Sequence, residues 1–286
     1  MNIRGDIEQG VAPEPMTEPC AMYFGEMARQ YAFQNYLLDL VEYRDFSAIN
    51  AAKALATVAK EEKERVKHLE KLRRGFAAFD AYRSFADIVC EGWLCRSVDN
   101  YLSYVYDLLV LVFQGNPNTL KTNETLTVKE ILSHDSLADL ITTISERRVH
   151  QLSYRGLADL SEYLDKQLSF PLFIKQDELE LARRFVEVRN LVVHNRGVVS
   201  RISASRLPEM VPLVGTRIKI EHEEVISAVA VFTRSVIELE SRAGEKFKIP
   251  KPIANKDEAL KLTLSRANTV KQKASTPSSG SDTTGE

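Results

Sequence analysis

The chain has 286 residues, 44% of them hydrophobic and 27% charged, enough to bury one substantial core or two small ones and too balanced for a fibrous or wholly disordered protein. Its 38 Lys and Arg against 40 Asp and Glu leave a net charge of -2, so no overall positive field draws in nucleic acid, and any bound RNA must be held by a local patch. Residues 1–20 are polar and carry prolines, without the apolar stretch of a signal peptide, and no later run reaches the roughly 18 apolar residues of a membrane span, which together predict a cytoplasmic protein with no membrane partner.

In chain order, Phe24, Met27, Tyr31, Gln34 and Leu38 recur every three or four residues and predict a helix over 21–46 with one buried stripe. Residues 48–72 are rich in Ala, Lys and Glu, with Leu55, Val58 and Val66 among charges, and predict a long solvated helix. The dense apolar run over 85–113, from Ile88 and Trp93 through Val98, Leu102, Val105 and Leu109 to Val112, predicts the central core helix. Gly115-Asn116-Pro117-Asn118 stops it. Shorter helices are predicted over 128–132, 136–152 and 158–168, the last ended by Pro171. Another spans 177–195, with Asp177 and Glu180 near its positive start and Gly197 placed to cap its end. Residues 211–220 allow a short strand, and 223–241 read as a final amphipathic helix. The expected organisation is a flexible segment over 1–20, one helical domain over 21–250 and a disordered polar tail over 251–286.

The segment Arg189-Asn190-Leu191-Val192-Val193-His194 carries the chemistry. It places a permanently charged guanidinium, an amide and an imidazole within six residues, a set suited to phosphodiester chemistry. At about 100° per helical residue, Glu187, Asn190 and His194 share a face, whereas Arg189 lies roughly 140° from His194. One helix therefore does not bring the two together; either it loosens before Gly197, or two chains assemble the pair. Leu179, Ala182, Phe185, Val186, Val188, Val192 and Val193 are the expected packing residues.

These residues, with Asn195-Arg196-Gly197 after them, resemble the HEPN superfamily, in particular a prokaryotic branch related to the RiboL-PSP-HEPN group. The likeness is carried by the motif and its helix. It implies an all-α, HEPN-type bundle with at most a short strand near 211–220, acting as a homodimer whose motifs face one cleft. It implies a metal-independent endoribonuclease without cofactor, in which the 2'-hydroxyl of RNA attacks the adjacent phosphate and leaves a 2',3'-cyclic phosphate. His194 would be the acid or base, Arg189 would hold the phosphate, Asn190 would orient either, and Arg196 and Glu187 would contact RNA. A toxin or phage-defence role, with an antitoxin or nucleotidyltransferase partner, belongs to the same analogy. The alternative is a non-catalytic helical dimer that binds a partner protein or nucleotide, with Arg189 and His194 capping carbonyls at the helix end.

Other features read more plainly. His68, His134, His150 and His222 are scattered without metal-ligand spacing, and Cys20, Cys90 and Cys95 form no CxxC pair, as expected of reduced, packed thiols. The basic runs Lys71-Leu72-Arg73-Arg74 and Arg147-Arg148 are expected on solvated faces, and Trp93, Tyr101, Tyr104 and Tyr106 in the core. Asp99 and Asp107 lie on the central helix as possible neighbours of the motif.

Overall fold

A computed structural model describes residues 12–72, 76–120, 125–153 and 156–275. Among these the fold is all-α: α1 (Glu18–Val58), α2 (Glu62–Leu72), α3 (Ala77–Ser84), α4 (Ala86–Gly115), α5 (Val128–Leu132), α6 (Leu137–Ser153), α7 (Gly156–Leu168), α8 (Gln176–Asn195), α9 (Arg201–Arg206), α10 (His222–Phe247) and α11 (Lys256–Ser275), with 3-10 turns at Pro117–Leu120 and Pro208–Leu213. Extended pairing among the described residues is confined to two isolated antiparallel bridges, Met16 with Ile253 and Val198 with Arg217. No helix among the described residues is long and apolar enough to cross a membrane.

The chain divides into two compact units. The first takes the residues up to Ala28, Tyr101–Phe170 and Arg234 onward. Its core is built on Tyr101, Tyr104, Leu108, Val112 and Phe113 of α4, packed with Leu152, Leu160, Val236 and Leu239. The two tyrosines are fully buried because each hydroxyl is satisfied, Tyr101 with the Ser235 hydroxyl at 2.9 Å and Tyr104 by donating to the Val236 carbonyl at 3.3 Å. At the start of α1, Thr17 donates from its amide and hydroxyl to the two oxygens of Glu240, at 2.6 and 2.9 Å.

That anchor alters the expected ends. Ala12, Met16, Thr17 and Cys20 are buried, so the segment expected to be flexible over 1–20 is packed from residue 12 onward; residues 1–11 lie outside the described residues. Likewise α11 occupies much of the tail expected to be disordered over 251–286, and residues 276–286 lie outside the described residues. Ala259 and Thr263 are buried, and a Cβ on Gly25 would lie only 1.9 Å from the Thr263 hydroxyl, so the missing side chain at Gly25 is what admits α11. A polar composition concealed this, because two small buried positions suffice to dock a helix along a glycine.

The second unit takes Arg29–Asn100 and Pro171–Thr233. Leu94 and Val98 of α4 pack there with Ala182, Phe185 and Leu191 of α8 and Val225, Ala228 and Phe232 of α10. The Phe185 and Phe232 rings meet edge to face at 6.2 Å. The stripe expected on α1 is shifted: Cys20, Ala21 and Tyr23 are the buried positions near its start, while Leu38 and several neighbours face outward. The solvated helix expected over 48–72 is broken between Val58 and Glu62, and its Leu55, Val58 and Val66 are exposed.

Candidate functional site

Helix α8 begins with Asp177 and Glu178 in its first turn, where carboxylates meet the positive end of the helix dipole. Ala182, Phe185, Val186, Val188 and Leu191 form the buried side. Val193, expected in that set, is 51% exposed, because the last turn runs past the edge of the core. The helix ends through Arg196, which adopts the left-handed conformation at φ 55° and ψ 34°, its amide donating to the Leu191 carbonyl. The Gly197 amide donates to the same oxygen at 2.9 Å, and Gly197 is itself left-handed at φ 75°. Gly197 was expected to cap this helix; the structure divides the left-handed turn between it and Arg196. Residues 197–199 then pair with 215–218, through Val199 to Thr216, Gly215 to Val199 and Ile218 to Gly197 at 2.9 to 3.0 Å. This is all that forms of the strand allowed over 211–220.

Arg189 turns from α8 toward α4. Its Nη2 lies 2.7 Å from Oδ1 of Asp99, and its Nη1 donates to Oδ1 of Asn190 at 3.1 Å. Its Nε is buried without a hydrogen-bond acceptor. The ion pair is only part-buried, at 25% exposure for Arg189 and 44% for Asp99. His194 stands apart on the last turn, exposed and without a hydrogen bond among the described residues. Arg196 is exposed as well and without an ion pair among them. Glu187 is engaged by Arg206 of α9, at 3.3 and 3.4 Å. Within one chain, then, the structure joins Arg189 to Asn190, and leaves His194 on another side of the helix, as roughly 140° of rotation requires.

Sequence reasoning raised Asp99 without a register and missed its companions. Glu91, Cys95 and Asp99 stand at i, i+4 and i+8 on α4, a spacing that puts them on one face. Glu91 accepts from Arg217 at 2.9 and 3.1 Å, as Asp99 is paired by Arg189. Burial, helped by the Asp99 charge and opposed by Arg189, pushes the Cys95 thiol up to about 11. The spacing was the available signal. Asp107 belongs to the other unit.

Several of the remaining candidates have partners of their own. Arg147 pairs with Glu130, and Arg148 bonds Gln151 and sits over the Tyr163 ring at 4.9 Å. Arg73 and Arg74 lie outside the described residues. His134 pairs with Asp139 at 2.8 Å, and His222 lies against Trp93 with ring centres 5.8 Å apart. Among the described residues no three His, Cys, Asp or Glu side chains group as metal ligands, and the three cysteines are free thiols. No family model, curated protein or solved structure matches the chain at a significant level.

Proposed function

We propose that this chain is an endoribonuclease of HEPN type, working as a homodimer in which Arg189 of one copy and His194 of the other face a shared cleft. The observation that carries the proposal is the placement of His194. An imidazole that is exposed and has no hydrogen-bond partner among the described residues, two residues from an exposed Arg196 that has no ion pair among them, is open to a ligand. In RNA cleavage it would take the proton from the 2'-hydroxyl as O2' bonds to phosphorus, or return a proton to the departing 5'-oxygen, work worth about 10²–10⁴-fold in rate. The new P–O2' bond replaces the P–O5' bond, giving a 2',3'-cyclic phosphate and a 5'-hydroxyl. Arg189, oriented by Asp99 and Asn190, would offer its guanidinium edge to the phosphate oxygens. Arg196 would add a phosphate contact outside the reacting group.

One observation favours the second reading, a non-catalytic dimer that binds a partner protein or nucleotide. The Arg189 guanidinium is already occupied by Asp99 and Asn190, as befits a residue that pins α8 to α4. The experiment that separates the two is cleavage of single-stranded RNA by the purified protein in excess EDTA, with the product ends identified. Cyclic phosphate ends, a loss of at least about a hundredfold in His194→Ala and only partial rescue in Arg189→Lys, which keeps charge without the planar grip, support the nuclease. Absent cleavage, or cleavage undiminished in His194→Ala, selects the second reading. His194 is exposed, so its removal leaves folding intact and the result stays interpretable.

A further inference from the structure

Away from the motif, α1 and α3 enclose a cleft of about 600 Å³ lined by Asp39, Glu42, Tyr43, Phe46, Phe76 and Phe79 together with Asp45 and Ile49. Its walls are tied by Asp45, which is buried and accepts the Ala78 and Phe79 amides at 2.8 and 2.9 Å. Those are orphan donors of the first turn of α3, whose own N-cap, Phe76, supplies no side-chain bond. Hydrogen bonds thus fix the first turn of α3 against α1 at this cleft.

Its lining is unusual for a surface facing only water. Tyr43, Phe46 and Phe76 are 70%, 64% and 66% exposed. Phe33, Tyr36 and Leu40 continue the apolar surface from Tyr43 along α1 at spacings of three and four, all exposed. With aromatic side chains of about 150–250 Å², these residues and Phe79 leave roughly 800 Å² of apolar surface open, what one side of a standard protein interface buries. A patch of that size marks a docking surface. Charge narrows the occupant. The lining holds three carboxylates and, among the described residues, no Lys, Arg or His. Asp39 and Glu42 are exposed and have no ion pair or hydrogen bond among those residues.

We infer that this face docks a positively charged amphipathic α-helix of a partner protein, its apolar side in the aromatic cleft and its Lys or Arg residues against Asp39 and Glu42. A helix laid in a groove between two helices needs an apolar trough with a charged rim, which is what the two walls provide. RNA is disfavoured, since its phosphates would meet carboxylates. A second copy is disfavoured because a two-fold contact would bring this same acidic rim into the interface from both sides. The inference is independent of the nuclease proposal.

The test uses fluorescence anisotropy of the full-length protein with two fluorescein-labelled helical peptides that share one Leu pattern, one carrying Lys and the other Glu on the polar face. The Lys peptide should bind, Asp39→Lys with Glu42→Lys should weaken it about tenfold or more, and Tyr43→Ser with Phe46→Ser should do the same. Glu61→Lys with Glu64→Lys, on and beside α2, should leave binding unchanged. Far-ultraviolet circular dichroism confirms that each variant is folded. The inference is overturned by equal binding of the Glu peptide, by indifference to the Asp39 and Glu42 reversal, by displacement of the Lys peptide with a single-stranded RNA oligomer, or by a wild-type dimer that Tyr43→Ser with Phe46→Ser dissolves.

Discussion

Arg196 gives the sharpest single perturbation, because its backbone and its side chain make opposite predictions. It holds φ 55° and ψ 34°, a conformation that costs an L-residue about 1–2 kcal/mol and glycine almost nothing. Arg196→Gly relieves that strain and keeps the amide bond to the Leu191 carbonyl. Glycine's greater freedom in the unfolded chain returns roughly 0.5–1 kcal/mol, so a net gain of about 0.5–1 kcal/mol remains. Arg196→Ala keeps the strain and loses an exposed side chain without an ion pair among the described residues, so its stability should stay within about 0.5 kcal/mol of wild type. Urea unfolding followed by far-ultraviolet circular dichroism measures both. If Arg196 touches RNA phosphate, both variants should also bind a single-stranded RNA oligomer more weakly, with the slope of log affinity against log salt reduced by about 0.7. A glycine variant less stable than wild type would refute the strain argument. RNA binding unchanged in both would refute the phosphate contact while leaving the strain argument standing.

Asp99→Asn removes the charge that opposes ionisation of Cys95 and leaves Arg189 beside it, so alkylation of Cys95 by iodoacetamide at mildly alkaline pH should accelerate several-fold, and Arg189→Ala should slow it. The part-buried pair itself should be worth no more than about 1 kcal/mol in unfolding measurements. Glu240 is held above the usual carboxylate range by burial, with Thr17 and Lys251 pulling it back, so its contribution to stability is fully present below about pH 4.3 and lost as pH rises through the native value. Glu240→Gln does not titrate and should therefore gain on wild type between pH 4 and pH 7; the opposite trend in urea unfolding would show that the Thr17 bonds dominate. Gly25→Ala drives a Cβ toward the Thr263 hydroxyl and should cost about 1–3 kcal/mol, with α11 released to limited proteolysis, whereas undiminished stability and protection would mean that the helix is not seated on Gly25.

Much of the fold was legible because helix signals are local. Val128–Leu132 forms as the sequence predicted, with Thr127 and Glu130 making a reciprocal capping box. The stop after Gly115 and the extents of α6, α7 and α8 also follow from periodicity and turn residues within a few positions. What local signals did not carry is of another kind. The burial stripe on α1, the packing of residues 12–20 and the docking of α11 depend on partners far away in sequence, such as Glu240 for Thr17 and Gly25 for Thr263. No window of one helix contains them.

The candidate site divides in the same way. By itself the sequence determined that α8 carries an Arg, an Asn and a His in one short stretch, and that helical rotation keeps Arg189 from His194, since side-chain direction along a helix follows from residue number alone. Tertiary structure decided what each one meets. It brought the Glu91, Cys95 and Asp99 face of α4 beneath Arg189 and Arg217, left His194 and Arg196 facing outward, and drew Glu187 to Arg206. The physical reason is that an ion pair needs two groups within a few ångströms, and that distance is set by how helices pack, which no one-dimensional pattern encodes.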